Sequence, residues 1–206
     1  FIHCNPHNPV GHVWTEDEMN QLFSICERHG VLIISDEIHQ DLITGSTPFT
    51  SALTVASGAY ADNIIAMSSL SKSFNMASLH HAEVIIPNEK LRGQFNFYKA
   101  HVYHTDSDVI AETAITVAYT HPEAEAWLTD VLAVIRENYE YLCRELCTAL
   151  PQIRIRSKDG TNLAWNDFGS YAKADDKQNL FQNQCRTAPS IRKLFAVSKQ
   201  TNIARL

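Results

Sequence analysis

Three polar residues in the first half of the chain, Asn8, Asp36 and Lys72, have types and settings that could support chemistry. Lys72 lies shortly after the apolar run 64–67, which predicts a strand that brings the lysine to the edge of a sheet. A lysine whose amine can lose its proton can form a Schiff base with an aldehyde. Asp36 closes a second strand-like run, and Asn8 precedes a proline in a turn pattern. Lys72 is therefore the strongest candidate for a catalytic residue.

Alternating helix and strand signals around these residues predict an α/β fold. Thr15 and Glu18 form a capping box at the start of an amphipathic helix, and Gly30 ends that helix. The short, continuously apolar run at 31–34 predicts a strand that is buried on both faces, and segments 64–67 and 82–86 predict two further strands. Later helices are predicted at 89–101, 108–119 and 123–150.

The pattern changes near residue 150, where the long last helix ends. Short strands are predicted at 153–156 and 163–165, on either side of the turn sequence Lys158-Asp159-Gly160-Thr161. We therefore predict a large domain over 1–150, including the long connecting helix, and part of a smaller domain over 151–206.

Composition is that of a globular chain with no electrostatic attraction to nucleic acids or membranes. The hydrophobic content is 45%, the charged content 19% and the net charge −6. No apolar run approaches the roughly 20 residues of a membrane-spanning helix. Five cysteines, an odd number without a disulfide framework, favour a reducing compartment, and we predict a cytoplasmic protein.

Three segments together resemble the fold-type I enzymes that use pyridoxal 5'-phosphate (PLP), in the aminotransferase class I/II family. The resemblance is closest to the branch of cystathionine β-lyases and related C–S lyases, and it covers most of the chain to about Phe168. The order and separation of the segments also match the family. The segments are Cys4-Asn5-Pro6-His7-Asn8-Pro9-Val10-Gly11-His12-Val13-Trp14-Thr15, Ser35-Asp36-Glu37-Ile38-His39-Gln40-Asp41 and Ser69-Leu70-Ser71-Lys72-Ser73-Phe74-Asn75.

The resemblance implies a role for each residue around the cofactor ring. PLP acts as an electron sink, which requires a protonated ring nitrogen, and Asp36 is implied to be the carboxylate beside that nitrogen. Asn8 is implied to bind the ring hydroxyl oxygen, which His39 also faces. Lys72 is implied to hold the cofactor and then to remove the Cα proton of the substrate. The alternatives are a turn or cap role for Asp36 and Asn8, and a packed or surface role for His39.

The resemblance also implies contacts with the phosphate and the substrate. Ser69 and Ser71 resemble the serines that contact the phosphate, and His80 lies where some relatives place an arginine. Arg205 resembles the arginine that clamps the substrate carboxylate, a role suited to a guanidinium fork. Loop serines and a terminal arginine that are simply solvated are the alternative interpretation. Ser78 departs from the glycine that is common in the family.

The implied fold is a PLP-transferase-like, three-layer α/β/α large domain followed by part of a small α+β domain. The family is longer than this chain, and its upstream phosphate-binding turn and stacking aromatic residue are not visible here. The N-terminal portion of the large domain is therefore expected to be missing. A homodimer is implied as well, because active sites of the family lie between subunits.

The predicted function is C–S β-elimination from cystathionine or cysteine-type amino acids, which yields pyruvate, ammonia and a thiol. An aminotransferase would use the same residues and is the first alternative. A truncated, inactive remnant that serves as an interaction module is the second. No metal site is predicted, because the ten histidines do not complete a ligand set.

Overall fold

The computed structural model describes residues 1–103 and 108–171, together with the backbone of two further strands at Ser190–Ile191 and Ile203–Arg205. These residues form an α/β structure with two four-stranded sheets. No helix among the described residues is long and apolar enough to span a membrane.

The first sheet has the strand order β1-β2-β3-β4. Its strands are β1 (Ile2–Cys4), β2 (Ile33–Asp36), β3 (Ile64–Ser68) and β4 (Glu83–Ile85). The first three run parallel, and β4 is antiparallel to β3. The carboxyl ends of β1, β2 and β3 therefore meet at one edge, where α/β sheets commonly bind ligands.

Five α-helices accompany this sheet. The Thr15 side chain accepts from the Glu18 amide at the start of the first helix, so the predicted capping box is present. The long last helix has proline at its first position, also as predicted. The helices are α1 (Glu16–Arg28), α2 (Leu70–Ser73), α3 (Glu89–Tyr98), α4 (Val109–Thr120) and α5 (Pro122–Ala149).

Two apolar clusters hold these elements together. Met19 and Phe23 of α1 are fully buried against Ile33 and Ile64 of the sheet. The second cluster joins α2 to α4 and α5, and Leu70, Phe74 and Ala118 are its buried members. The first cluster fixes the sheet, and the second fixes the short helix that carries Lys72.

The second sheet has the order β5-β6-β8-β7 and is antiparallel throughout. Its strands are β5 (Arg154–Ile155), β6 (Trp165–Asp167), β7 (Ser190–Ile191) and β8 (Ile203–Arg205). It begins just after the end of α5. The domain boundary near residue 150 stays a prediction.

A buried polar chain runs from β1 through β2. His3 is 1% exposed, and its Nδ1 lies 3.1 Å from Oγ of Ser35, which donates to Oε1 of Glu37 at 2.9 Å. Because the serine proton is directed at the carboxylate, Ser35 Oγ accepts from His3 Nδ1. Glu37 also accepts from Ser51 Oγ and the Ala52 amide, both at 2.8 Å. Burial raises the pKa of Glu37, while these donors oppose the shift.

Burial and the nearby His7 lower the pKa of His3 from 6.5 to about 4. Between these two pH values the His3 imidazole is protonated in the unfolded chain but neutral in the folded chain. The free energy of unfolding therefore falls as the pH drops. At about 1.4 kcal/mol per pKa unit, the His3 contribution to this loss is about 3 kcal/mol. We expect His3→Asn to flatten the fall in the free energy of unfolding between pH 7 and pH 4.5, measured with urea. His29→Gln, at an exposed histidine, is the control, and equal slopes in all three proteins would contradict the prediction.

Candidate active site

Asp36 lies at the carboxyl edge of the first sheet, paired in register with Cys4 of β1 and Met67 of β3. Its side chain is half-buried, and Oδ1 accepts from the Ile38 amide at 3.2 Å. Oδ2 has no hydrogen-bond partner among the described residues. Asp36 therefore keeps one carboxylate oxygen for a ligand.

A cavity of about 300 Å³ opens beside Asp36, within the size range of small-molecule sites. Asp36 and the loop that precedes α2 form its polar wall. The side chains relevant to binding are Asp36, Ser68, Ser69, Ser71, His80 and His81. The structure thus brings together three of the predicted site residues, Asp36, Ser69 and Ser71, in one cavity.

Asn8 and His39, which are both predicted to face the ring hydroxyl oxygen, contact each other, and neither is among the residues that line the cavity. Asn8 Nδ2 lies 3.4 Å from His39 Nε2. Because an amide nitrogen can only donate, Nε2 accepts and His39 carries its proton on Nδ1. The second hydrogen of Asn8 Nδ2 stays available for a ligand. The Asn8 amide also donates to Cys4 Sγ at 3.5 Å, which ties the turn to the end of β1.

Ser69 and Ser71, the two serines predicted to contact the phosphate, differ in how far their hydroxyl groups are already hydrogen-bonded. Ser69 is 2% exposed, donates to the His81 carbonyl at 2.7 Å and accepts from the Ser71 amide at 3.1 Å. Its hydroxyl is thus the N-cap of α2. The half-buried Ser71 hydroxyl lies 3.0 Å from Ser69 Oγ and has hydrogen-bonding capacity to spare.

Ser68 is a site residue that the sequence analysis missed. Its Oγ is buried in the cavity wall without a hydrogen-bond partner in the part of the chain that the structure describes. A buried unpaired hydroxyl is costly, so a ligand atom there would be stabilising. The signal in the sequence was its position directly after the apolar run 64–67 and four residues before Lys72.

Lys72 occupies α2, next to Ser71, and its side chain is exposed. Its ammonium group makes no hydrogen bond or ion pair with any described residue, and it is not among the residues that line the cavity. The lysine is therefore held through its backbone, by the buried side chains of Leu70 and Ser73 on the same turn.

Arg205 lies in β8, where its Cα pairs with those of Trp165 and Ser190. Its side chain is outside the described residues, so the predicted carboxylate clamp stays a prediction. Within residues 1–103 and 108–171, no three His, Cys, Asp or Glu side chains are grouped closely enough to hold a metal ion.

The turn at residues 158–161 joins the second sheet to the Asn8 turn. The amides of Asp159 and Gly160 both donate to the Gly11 carbonyl, at 2.9 Å and 3.0 Å. The Asp159 carbonyl accepts from the amides of Thr44 and Gly45, at 2.7 Å and 2.9 Å. This turn thus braces the loop that carries Asn8.

Gly160 has no room for a side chain in this arrangement. A Cβ atom there would lie 2.7 Å from Cβ of Pro6 and 2.9 Å from Cγ2 of Val13. We expect Gly160→Ala to lower the free energy of unfolding by about 1–3 kcal/mol through overpacking, as measured by urea denaturation. Gly93→Ala is the matched control, because a Cβ atom at Gly93 would meet nothing within 4 Å beyond the backbone of its own helix, and alanine favours the helix. Equal effects of the two substitutions would contradict the packing argument.

Comparisons with known proteins show which family and fold the chain resembles. Residues 1–195 match the family described as aminotransferase class I and II. Cystathionine beta-lyase PatB of Bacillus subtilis is 34% identical over 178 residues, which are 85% of this chain and 44% of PatB. Protein MalY of Escherichia coli is 36% identical over 166 residues, which are 80% of this chain and 41% of MalY.

Among solved structures, cystalysin from Treponema denticola, which contains pyridoxal 5'-phosphate, matches with a TM-score of 0.92 and 25% identity. The match covers 100% of this chain and 51% of cystalysin. The predicted fold class is thereby confirmed. The chain spans about half the length of the relatives that it matches.

Proposed function

The chain belongs to the aminotransferase class I and II family, as its three motifs predicted, and from this premise we propose that it binds PLP and acts on amino acids. The proposed reaction is C–S β-elimination from cystathionine or cysteine-type substrates, which yields pyruvate, ammonia and a thiol. The observation that carries the proposal is the cavity where Asp36, Ser69 and Ser71 converge at the carboxyl edge of the sheet.

The donors and acceptors at this edge of the sheet fit PLP. Asp36 offers a free carboxylate oxygen to a protonated ring nitrogen, and Asn8 offers an amide hydrogen to the ring hydroxyl oxygen. Ser71 and the unpaired hydroxyl of Ser68 are suited to the phosphate. Ser69 would support them indirectly, because its own hydroxyl caps α2.

When bound, PLP supplies an electron sink for the bond that breaks at the substrate Cα. Lys72 would hold the cofactor covalently, give it up to the substrate amine, and accept the Cα proton at Nζ. Asp36 would keep the ring nitrogen protonated, since its negative charge favours the protonated form. Arg205 would orient the substrate by a bidentate contact with its carboxylate.

The lyase activity is favoured over transamination by the name of the matched relative cystathionine beta-lyase PatB. Transamination remains the alternative because the family includes aminotransferases and the same residues serve both reactions. An inactive remnant that serves as an interaction module is the non-enzymatic alternative, and it is the one that a PLP-binding test addresses directly.

We also propose a cytoplasmic homodimer. The four cysteines within the described residues are free thiols, which suits a reducing compartment. Large apolar side chains on α4 and α5 are exposed, among them Val109 at 74%, Ile110 at 68% and Trp127 at 44%. Exposed apolar groups of this size often mark an interface.

We propose, in addition, that the chain divides into a large domain that ends at residue 150 and a smaller domain that begins at residue 151.

The deciding experiment is an absorbance spectrum of the purified chain with added PLP, before and after borohydride reduction, followed by peptide mapping. We expect a visible band that reduction fixes on the peptide containing Lys72. The chain is then supplied with cystathionine, and pyruvate, ammonia and thiol are assayed beside amine transfer to an α-keto acid. Keto-acid amination without thiol release would favour the aminotransferase, and no covalent attachment would favour the inactive remnant.

A further inference from the structure

Asp41 is linked to the turn that bears Lys72 by a short hydrogen bond. The hydroxyl of Ser73 donates to Oδ2 of Asp41 at 2.6 Å. Ser73 is 1% exposed and directly follows Lys72 in the chain. Hydrogen bonds from a hydroxyl to a carboxylate at this distance are among the strong ones in proteins. The contact therefore holds α2 at the residue next to the candidate catalytic lysine.

Tyr119 of α4 reaches the same carboxylate oxygen. Its hydroxyl lies 3.5 Å from Asp41 Oδ2, a longer and weaker contact than that of Ser73. Burial and the charge of Asp41 raise the pKa of Tyr119 to about 12, so the phenol stays protonated and can donate. Phe74 packs edge-on against Tyr119, with ring centroids 6.0 Å apart. The far end of α2 is thus fastened to α4 as well.

The short helix depends on such contacts. Four residues are too few for a helix to be stable by itself. The N-terminal end of α2 is capped by Ser69, and its C-terminal end is held by Ser73 and Phe74. The Lys72 ammonium group has no hydrogen bond or ion pair within the described chain that would orient it. The contacts at the two ends of the turn therefore hold the backbone of Lys72, and with it the position from which its side chain starts.

Asp41 also belongs to the segment that carries Asp36 and His39. The amide of Leu42 donates to the His39 carbonyl at 2.9 Å, so residues 39–42 form a turn that begins three residues after the end of β2. A contact from this turn to α2 sets the spacing between the lysine and the residues implied to hold the cofactor ring. Loss of the contact would leave each residue on its own element but would remove the side-chain hydrogen bond that joins the turn to α2.

We propose that Asp41 is a positioning residue that, through Ser73, holds Lys72 in register with Asp36 and His39. The effect of Asp41 on the chemistry of Lys72 rests on the proposed function. The mechanical part of the proposal, that Asp41 holds α2 through Ser73, does not depend on it. Asp41 is not one of the residues that line the cavity beside Asp36. The Asp41–Ser73 hydrogen bond acts by fixing the backbone of α2 at Lys72.

The mechanical part is tested by hydrogen–deuterium exchange of the peptide spanning residues 70–76, in the full chain without PLP. We expect Asp41→Ala and Ser73→Ala each to speed exchange there at least about tenfold, since one charged hydrogen bond is lost. Asp41→Asn retains an oxygen that can accept from Ser73, so it should restore slow exchange. Asp62→Ala is the matched control, because Asp62 is exposed and its side chain makes no described contact. Unchanged exchange in Asp41→Ala would overturn the proposal.

The functional part is tested by the rate at which added PLP becomes fixed on Lys72 under borohydride, relative to the exposed Lys90. We expect a loss of about tenfold in this ratio for Asp41→Ala and recovery in Asp41→Asn. A general loss of structure would lower the Tm and alter labelling at both lysines, whereas a positioning role alters Lys72 alone. A ratio unchanged in Asp41→Ala would overturn the positioning role. A parent chain that never labels Lys72 would instead refute the proposed function, and the exchange experiment would still decide the contact.

Discussion

Lys72→Ala is expected to abolish covalent attachment of PLP and to lower turnover about 1,000-fold or more. Among the residues of the proposed site, the lysine amine is the group that can both bind the aldehyde carbon and carry the Cα proton, and alanine can do neither. Because the Lys72 side chain is exposed and makes no described contact, its removal should leave the Tm nearly unchanged. Absorbance with added PLP, borohydride fixation and peptide mapping measure the attachment directly.

Lys90→Ala is the matched control for this prediction, since Lys90 is also exposed but lies in the first turn of α3, away from the cavity. It should leave the spectrum and the labelled peptide unchanged. An unaltered visible band in Lys72→Ala, or a label on another peptide in the parent chain, would refute Lys72 as the anchor. Loss of the band in both variants would point to an effect on folding, which the Tm would reveal.

Asp36→Asn is expected to slow exchange of the substrate Cα hydrogen by at least about 100-fold, which corresponds to about 2.7 kcal/mol. An amide has nearly the same shape as the carboxylate and can still accept from the Ile38 amide, so the fold should be retained. The amide lacks the negative charge that keeps the ring nitrogen protonated, so the electron sink weakens. Exchange is measured by deuterium incorporation from D₂O into an amino acid substrate.

Covalent attachment at Lys72 should survive Asp36→Asn, which separates this effect from loss of binding. Asp130→Asn is the control, because Asp130 is exposed on α5 and far along the chain from the sheet edge. Exchange within about threefold of the parent in Asp36→Asn would remove the role proposed for Asp36, because an effect that small lies below the 100-fold scale of a transition-state contact.

Much of the fold follows from local patterns in the sequence. The capping box at Thr15 and the proline at the start of α5 predicted where those helices begin, and both features are present. The strand predicted at 31–34 instead spans Ile33–Asp36, and the one predicted at 163–165 spans Trp165–Asp167. Apolar content indicates that a strand exists, but its ends are set by pairing with neighbours distant in the sequence.

The end of α3 was predicted less accurately than its start. The helix predicted at 89–101 ends as an α-helix at Tyr98 and continues as a π-helical turn over Lys99–Tyr103. A widened turn of this kind depends on hydrogen bonds that shift by one residue, and side-chain periodicity does not record that shift.

The sequence by itself determined the family, the α/β class and the candidate residues Asn8, Asp36 and Lys72, because these are expressed in motifs a few residues long. Only the tertiary structure decided how the hydroxyls divide their roles. Ser69 caps a helix while Ser68 has no partner among the described residues that surround the cavity, and adjacent serines look alike in a sequence. The link from Asp41 to Ser73 spans 32 positions of the chain. Such contacts form only when the sheet places two distant turns at one edge, so no local pattern could have predicted them.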